Sequence, residues 1–138
     1  DVANFFEREL ELKEITLSTL IHDEVYIEGD KNKIKQVFVN LVKNAIEAKD
    51  KRYGKINISI KKNIDSAEIT IWDNGRGLEK EELARLFEPF NSSKVNGTGL
   101  GLAIVKEILT NHKAEISYNS EPGKWTETII KFNLYKEE

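Results

Sequence analysis

Cysteine and methionine are absent from this chain of 138 residues, and only two prolines occur. The absence of cysteine excludes disulfide bridges, thiolate metal sites and cysteine nucleophiles. No apolar run approaches the ~20 residues that a membrane-spanning helix needs. Basic residues are not in excess, since 21 lysines and arginines stand against 24 aspartates and glutamates. The net charge of −3, with no basic stripe, disfavours nucleic acid as a partner.

The composition that remains is that of a folded globular domain. Apolar residues make up 39% of the chain and charged residues 33%, which excludes an intrinsically disordered class. The length predicts one domain spanning residues 1–138 with a single core. Because methionine is missing throughout, we expect this domain to belong to a longer protein.

Apolar spacing predicts a mixture of helices and strands. The first helix should be anchored by Phe5, Phe6 and Leu10, and Asp30 should cap the longest helix. The absence of regular βαβ alternation favours an α+β, two-layer sandwich with helices on one face of the sheet. The predicted helices are 1–13, 31–49, 79–86 and 100–110, and the predicted strands are 15–21, 25–27, a hairpin over 55–73, 114–120 and 126–134.

A glycine-rich loop directly precedes the last predicted helix. Glycine lets the backbone approach a ligand closely, and the helix N-terminus behind it offers N–H groups and partial positive charge to a phosphate. The spacing fits neither the dinucleotide fingerprint, since its third glycine is missing, nor a Walker A loop, which needs Gly-Lys-Ser/Thr. The loop residues that we assign to phosphate binding are Gly97, Thr98, Gly99, Leu100 and Gly101.

Two asparagines lie one turn apart on the longest predicted helix. Asn40 and Asn44 fall on the flank of its apolar stripe. Their amide oxygens suit Mg²⁺, which takes one or two protein oxygens and completes its shell with phosphate and water. Taken alone, both are also compatible with ordinary residues at the boundary of a buried face.

A carboxylate ends the predicted hairpin. Asp73 is followed by Gly75 and Gly77, and at the end of an apolar strand it should be partly buried. Such a carboxylate attracts the amino group of adenine and repels the carbonyl oxygen of guanine. The glycines would let the backbone pass flat against the base. A plain Asp-Asn-Gly turn remains the alternative.

An aromatic pair precedes the polar segment that leads to the glycine loop. Phe87 and Phe90 predict an anchored hinge, and Lys94 predicts a phosphate contact from a mobile lid. A core pair followed by a solvated loop is the alternative. His22 and His112 lack metal-ligand spacing and are interpreted as surface residues.

Four ordered motifs resemble the catalytic, ATP-binding domain of sensor histidine kinases. This is the family, with the Bergerat fold, that also includes gyrase, Hsp90 and MutL, and the resemblance covers about residues 1–134. The details look most like the sporulation and nitrogen-regulation branches. The motifs, known as the N, G1, F and G2 boxes, are QVFVNLVKNAIEA (36–48), DNGRGL (73–78), LFEPF (86–90) and GTGLGLAIV (97–105).

The resemblance implies a role for each box. Asn44 becomes the Mg²⁺ ligand with Asn40 in support, and Asp73 holds the adenine amino group while Gly75 and Gly77 line the base. The glycine loop and Lys94 then surround the phosphates, Phe87 and Phe90 anchor the lid, and Thr128 joins the ATP contacts. The implied fold is a five-stranded mixed sheet on three helices.

The implied function is transfer of the γ-phosphate of Mg-ATP to a histidine in two-component signal transduction. Neither histidine of this chain lies in a phosphoacceptor context, so the dimerisation and phosphoacceptor domain is expected upstream, and no catalytic residue is assigned here. Asn40 replaces the glutamate that activates water in the gyrase-like hydrolases, and Trp125 replaces a common glycine. A response regulator is the expected downstream partner of a cytoplasmic domain that is monomeric alone and contacts neither membrane nor nucleic acid. An anti-sigma-type serine kinase and an ATP sensor without transferase activity are the alternatives.

Overall fold

A computed structural model describes residues 2–88 and 101–134, which form five helical segments and five strands. The helices are α1 (Val2–Phe5), α2 (Glu7–Leu12), α3 (Lys31–Glu47), α4 (Lys80–Ala84) and α5 (Gly101–Asn111). The strands are β1 (Ile15–Ile21), β2 (Gly54–Lys62), β3 (Ser66–Asp73), β4 (Glu115–Glu121) and β5 (Trp125–Asn133). No helix in these two ranges has the length and apolarity needed to cross a bilayer.

The strands form one mixed sheet in the order β1-β2-β3-β5-β4. Only the β1–β2 pair is parallel, and the other three pairs are antiparallel. The register places the end of β3 between two neighbours, because Asp73 is paired with Ile56 on β2 and with Thr126 on β5. The carboxyl end of β3 is therefore central in the sheet rather than at an edge.

The core lies between one face of this sheet and the helices α3 and α5, which pack against each other. Burial alternates along β3 and β5, as expected for strands with one covered face. The fully buried side chains come from both layers: Val37, Val42, Ile46, Ile56, Ile71, Val105, Leu109, Ile130 and Phe132. The predicted α+β sandwich, with a five-stranded mixed sheet and helices on one face, is confirmed.

Two predictions near the N-terminus are wrong. The first helix is interrupted at Phe6, and Phe5 is 67% exposed, with its ring against the edge of the Phe6 ring. The other two predicted anchors, Phe6 and Leu10, are buried in the core. Residues 25–27 form no strand, because this segment connects the end of β1 to the start of α3 and Ile27 packs on the core without pairing with the sheet.

The N-terminus of α3 is held by two side chains. Asp30 caps the helix as predicted, since its Oδ1 accepts hydrogen bonds from the backbone N–H groups of Asn32 and Lys33 at 3.0 and 3.2 Å. His112 is half-buried, not a surface residue: its Nε2 accepts from Asp30 N at 3.0 Å, and its Nδ1 donates to Ile108 O at 2.8 Å. The imidazole therefore joins the end of α5 to the start of α3.

Candidate nucleotide-binding site

Asp73 is a buried charged side chain at the end of β3, only 6% exposed. It continues the buried series of Ile69 and Ile71, so its side chain lies on the helix-facing side of the sheet. Its Oδ1 accepts a hydrogen bond from Gly75 N at 2.9 Å. A carboxylate can accept several hydrogen bonds, so this contact orients the group without using its full capacity.

Burial dominates the electrostatics of Asp73 and raises the pKa of its carboxyl to about 6. The hydrogen bond from Gly75 and the positive charges of Lys51 and Arg76 lower that pKa, and the negative charge of Asp50 raises it. The group is thus ionised at neutral pH, although it is largely removed from water. Such a carboxylate is a strong acceptor for a donor that enters from the solvent.

The two glycines after Asp73 are required by the packing of the protein itself. A Cβ on Gly75 would lie 2.4 Å from the carbonyl oxygen of Ala48, at the end of α3. Gly77 has φ +69°, and its Cβ would lie 2.3 Å from the carbonyl oxygen of Glu121. The loop therefore runs between the C-terminus of α3 and the β4–β5 turn, which is a physical reason for glycine that the sequence did not indicate.

The two assigned asparagines lie on the partly exposed flank of α3. Asn40 and Asn44 are both half-buried, next to the buried positions Leu41 and Ala45. Asn44 also accepts the backbone hydrogen bond of Ala48, the residue against which Gly75 packs. The backbone of Asn44 therefore lies one helical turn before Ala48, the residue that the loop after Asp73 contacts.

Two buried threonines of β5 lie beside the end of β3. Thr128 is buried and pairs across the sheet with Ile71 and Tyr118. Burial raises the pKa of Tyr118 to about 12; its hydrogen bond with Thr128 lowers the pKa, and the charge of Asp73 raises it. The register places Tyr118, Thr128 and Ile71 side by side, so the half-buried phenol lies on the same face of the sheet as Asp73.

Thr126 is the second of these threonines, and the sequence analysis did not assign it to the site. It is buried, is directly paired with Asp73, and its Oγ1 lies 3.1 Å from Ser120 Oγ. Ser120 Oγ in turn accepts from Leu78 N at 2.7 Å, so this pair also holds the end of the loop. The register between β3 and β5 carries this information, and local periodicity does not.

The segment after α4 is anchored by Phe87, which is half-buried. Its ring centroid lies 6.0 Å from that of Tyr118, and Lys106 Nζ lies 5.4 Å from the Phe87 ring centroid. Lys106 belongs to α5, whose first residue is Gly101. A Cβ on Gly101 would meet no atom within 4 Å among residues 2–88 and 101–134, apart from the backbone of its own helix. Phe87 thus links the chain leaving α4 to both β4 and α5.

The chain matches, over residues 29–136, the family described as histidine kinase-, DNA gyrase B-, and HSP90-like ATPases. It belongs to this family. The chain is similar to sporulation kinase A of Bacillus subtilis (strain 168), with 38% identity over 133 residues that cover 96% of this chain and 22% of the kinase. The chain thus spans less than a quarter of that relative's length.

Solved structures agree with the family. The catalytic domain of histidine kinase ThkA, in a nucleotide-free form, matches with a TM-score of 0.85 and 30% identity over 96% of this chain and 88% of that chain. ThkA in complex with the response regulator protein TrrA matches with a TM-score of 0.79 and 28% identity, over 96% of this chain and 38% of that chain. The resemblance to ATP-binding catalytic domains of histidine kinases is confirmed.

Five of the assigned residues lie around the carboxyl end of β3. Asp73, Gly75, Gly77 and Thr128 lie at the adjoining ends of β3 and β5, with Asn44 one turn from the loop. The roles of these residues toward ATP stay predictions. The assigned residues outside the described ranges are Phe90, Lys94, Gly97, Thr98, Gly99 and Leu100.

Proposed function

We propose that this domain binds Mg-ATP and transfers the γ-phosphate to a histidine on a separate dimerisation and phosphoacceptor domain of the same kinase. The observation that carries the proposal is the buried carboxylate of Asp73, fixed by Gly75 at the end of β3 in a chain of the histidine kinase-like ATPase family. In this assignment Asp73 accepts a hydrogen bond from the adenine amino group. That contact disfavours guanine, which offers an acceptor at the same place.

The metal that this function needs is Mg²⁺, and the side chains of α3 fit it. The residues that the structure describes contain no group of three or more histidines and carboxylates able to hold a metal ion. The half-buried amides of Asn40 and Asn44 instead offer the few hard oxygen ligands that Mg²⁺ takes beside phosphates and water. We assign Asn44 as ligand and Asn40 as its support. An ion held by these amides would neutralise charge on the phosphates.

The phosphates belong at the start of α5. The helix N-terminus provides partial positive charge at Gly101. Among the residues that the structure describes, none outside the helix's own backbone lies within 4 Å of a Cβ built there, which supports the approach of a ligand. Residues 97–100 and Lys94 are proposed to complete this site from the motif alone. Phosphoryl transfer depends mainly on alignment and charge stabilisation, which such groups supply.

We expect phosphoryl transfer and not hydrolysis, because Asn40 stands where the gyrase-like hydrolases have the glutamate that activates water. A neutral amide cannot remove a proton from water, whereas an acceptor imidazole attacks phosphorus without a strong base. The complex of ThkA with TrrA supports a response regulator as the next partner of this chain. The use of ATP supports a cytoplasmic location.

The test is a phosphotransfer assay with the 138-residue chain, γ-labelled Mg-ATP and the acceptor domain of its own kinase. We expect acid-labile, base-stable phosphate on that domain, and its loss in Asn44→Ala. Asn57→Ala, an exposed asparagine on β2, is the matched control and should retain transfer. Acid-stable phosphate on serine, or no transfer while ATP is bound, would contradict the proposal.

A further inference from the structure

Lys51 lies between α3 and β2, outside every motif assigned above, and its ammonium group is surrounded by oxygens. Its Nζ donates to Asn74 O at 2.7 Å, to Gly75 O at 3.2 Å and to Gly123 O at 3.2 Å. It also contacts Asp50 Oδ1 at 3.1 Å. One side chain thus joins the end of α3, the loop after Asp73 and the β4–β5 turn.

The backbone of the loop 74–76 is held on every side. Its N–H groups donate to Lys55 O, Asp73 Oδ1 and Ala48 O, respectively. Of its carbonyl groups, that of Arg76 accepts from Gly123 N at 2.6 Å, and those of Asn74 and Gly75 accept from Lys51. Lys51 is therefore the side-chain donor for two of the three carbonyls.

Gly75 shows why this matters for Asp73. Its N–H donates to the Asp73 carboxylate, while its C=O accepts from Lys51. The two contacts fix the plane of the peptide groups on both sides of Gly75. Loss of the ammonium would leave the Gly75 carbonyl without its donor, and the Gly75–Arg76 peptide group would be held only by the hydrogen bond from Arg76 N to Ala48 O. The Gly75 N–H would then be less firmly oriented toward the Asp73 carboxylate.

We propose that Lys51 is a positioning residue for purine recognition, which holds the loop 74–76 against the β4–β5 turn so that the Asp73 carboxylate faces the adenine amino group. The inference rests on the proposed role of Asp73. Lys51 touches no reacting atom and acts through Asp73 and Gly75. Its positive charge also lowers the pKa of Asp73, together with the Gly75 N–H and Arg76 and against burial and Asp50.

The experiment compares Lys51→Met with Lys124→Met by calorimetric titration with Mg-ATP and Mg-GTP. Lys124 lies in the β4–β5 turn that Lys51 contacts, and its ammonium pairs with Glu121 at 3.3 Å. This control therefore removes one positive charge close to that of Lys51. We expect Lys51→Met to lower the ratio of ATP to GTP affinity roughly tenfold, the value of one charge-assisted hydrogen bond. Lys124→Met should leave the ratio unchanged.

A second measurement separates positioning from general destabilisation. The carboxyl carbon resonance of Asp73, assigned with Asp73→Asn, should titrate at higher pH in Lys51→Met than in the unaltered chain, and Lys51→Arg should restore the original midpoint. An unchanged affinity ratio, or equal losses for ATP and GTP with an unmoved midpoint, would overturn the role of Lys51. If Asp73→Asn itself leaves the ratio unchanged, the adenine assignment fails instead.

Discussion

At the scale of single residues, the buried carboxylate of Asp73 destabilises the domain in which it serves. Its pKa is about 6 in the folded chain and 3.8 in its ordinary state. Between these values the folded state binds more protons than the unfolded state, so stability falls as the pH rises through this window. The full destabilisation by the ionised carboxylate is present above pH 6, and it disappears below pH 4.

This cost gives a testable difference between the unaltered chain and Asp73→Asn. We expect the free energy of unfolding of Asp73→Asn, relative to the unaltered chain, to increase by about 2 kcal/mol from pH 4.5 to pH 7.5. Urea denaturation at the two pH values measures it. Glu107→Gln, which replaces an exposed carboxylate on α5, is the control. A constant difference for Asp73→Asn would show that the carboxylate is solvated.

At the same scale, alanine substitutions at Gly77 and Gly101 should have different effects on stability. Gly77→Ala forces a side chain to φ +69° and against Glu121 O, and we expect a loss of roughly 2 kcal/mol or more in stability. Gly101→Ala meets open space in a helix, so its stability should be unchanged or raised by up to about 1 kcal/mol. Its ATP affinity should nevertheless fall. Thermal unfolding and ATP titration separate the two effects, and equal stability of both variants would refute the loop packing.

At the scale of elements, His112 couples α5 to α3. His112→Ala removes the acceptor of Asp30 N and the donor to Ile108 O, and we expect a loss of about 2 kcal/mol in stability. The matched variant His22→Ala alters an exposed imidazole and should cost less than about 0.5 kcal/mol. Chemical denaturation of both variants decides the point. An equally small loss of stability in both variants would show that the hydrogen bonds of His112 do not stabilise the contact between α5 and α3.

The same scale shows which elements are predictable from sequence. The β2–β3 hairpin follows from alternating isoleucines such as Ile56, Ile58 and Ile60, and its end at Asp73 was predicted from the residues that follow it. Residues 25–27 have strand composition but pair with no strand of the described sheet. Composition describes what a segment prefers, whereas pairing depends on the neighbours that the whole fold supplies.

The candidate site divides in the same way. Asp73, Asn44 and the glycines stand in local patterns whose chemistry can be read directly. Thr126 and Lys51 depend on strand register and on contacts between residues far apart in sequence. Those contacts exist only after the β4–β5 turn has packed against the loop that follows Asp73. No local pattern indicated Lys51, whereas Thr126 directly follows Trp125, the residue that replaces a common glycine of the family.

At the scale of the whole molecule, Mg-ATP should stabilise the domain by binding only its folded state. At a free concentration 100 times the dissociation constant we expect about 2.7 kcal/mol. Asn44→Ala should lose the part of this gain that depends on Mg²⁺, so its unfolding temperature with ATP should be the same with magnesium or a chelator. Persistent magnesium dependence in Asn44→Ala would assign the ion to other ligands.

The most direct measurement is calorimetric titration of the chain and of Asp73→Asn with Mg-ATP and Mg-GTP. The unaltered chain should prefer ATP by tenfold to a hundredfold, as expected for a hydrogen bond to a charged group. Asp73→Asn should lose most of that preference while remaining folded. Equal binding of the two nucleotides by the unaltered chain, or an ATP preference that survives in Asp73→Asn, would contradict a purine site built on this carboxylate.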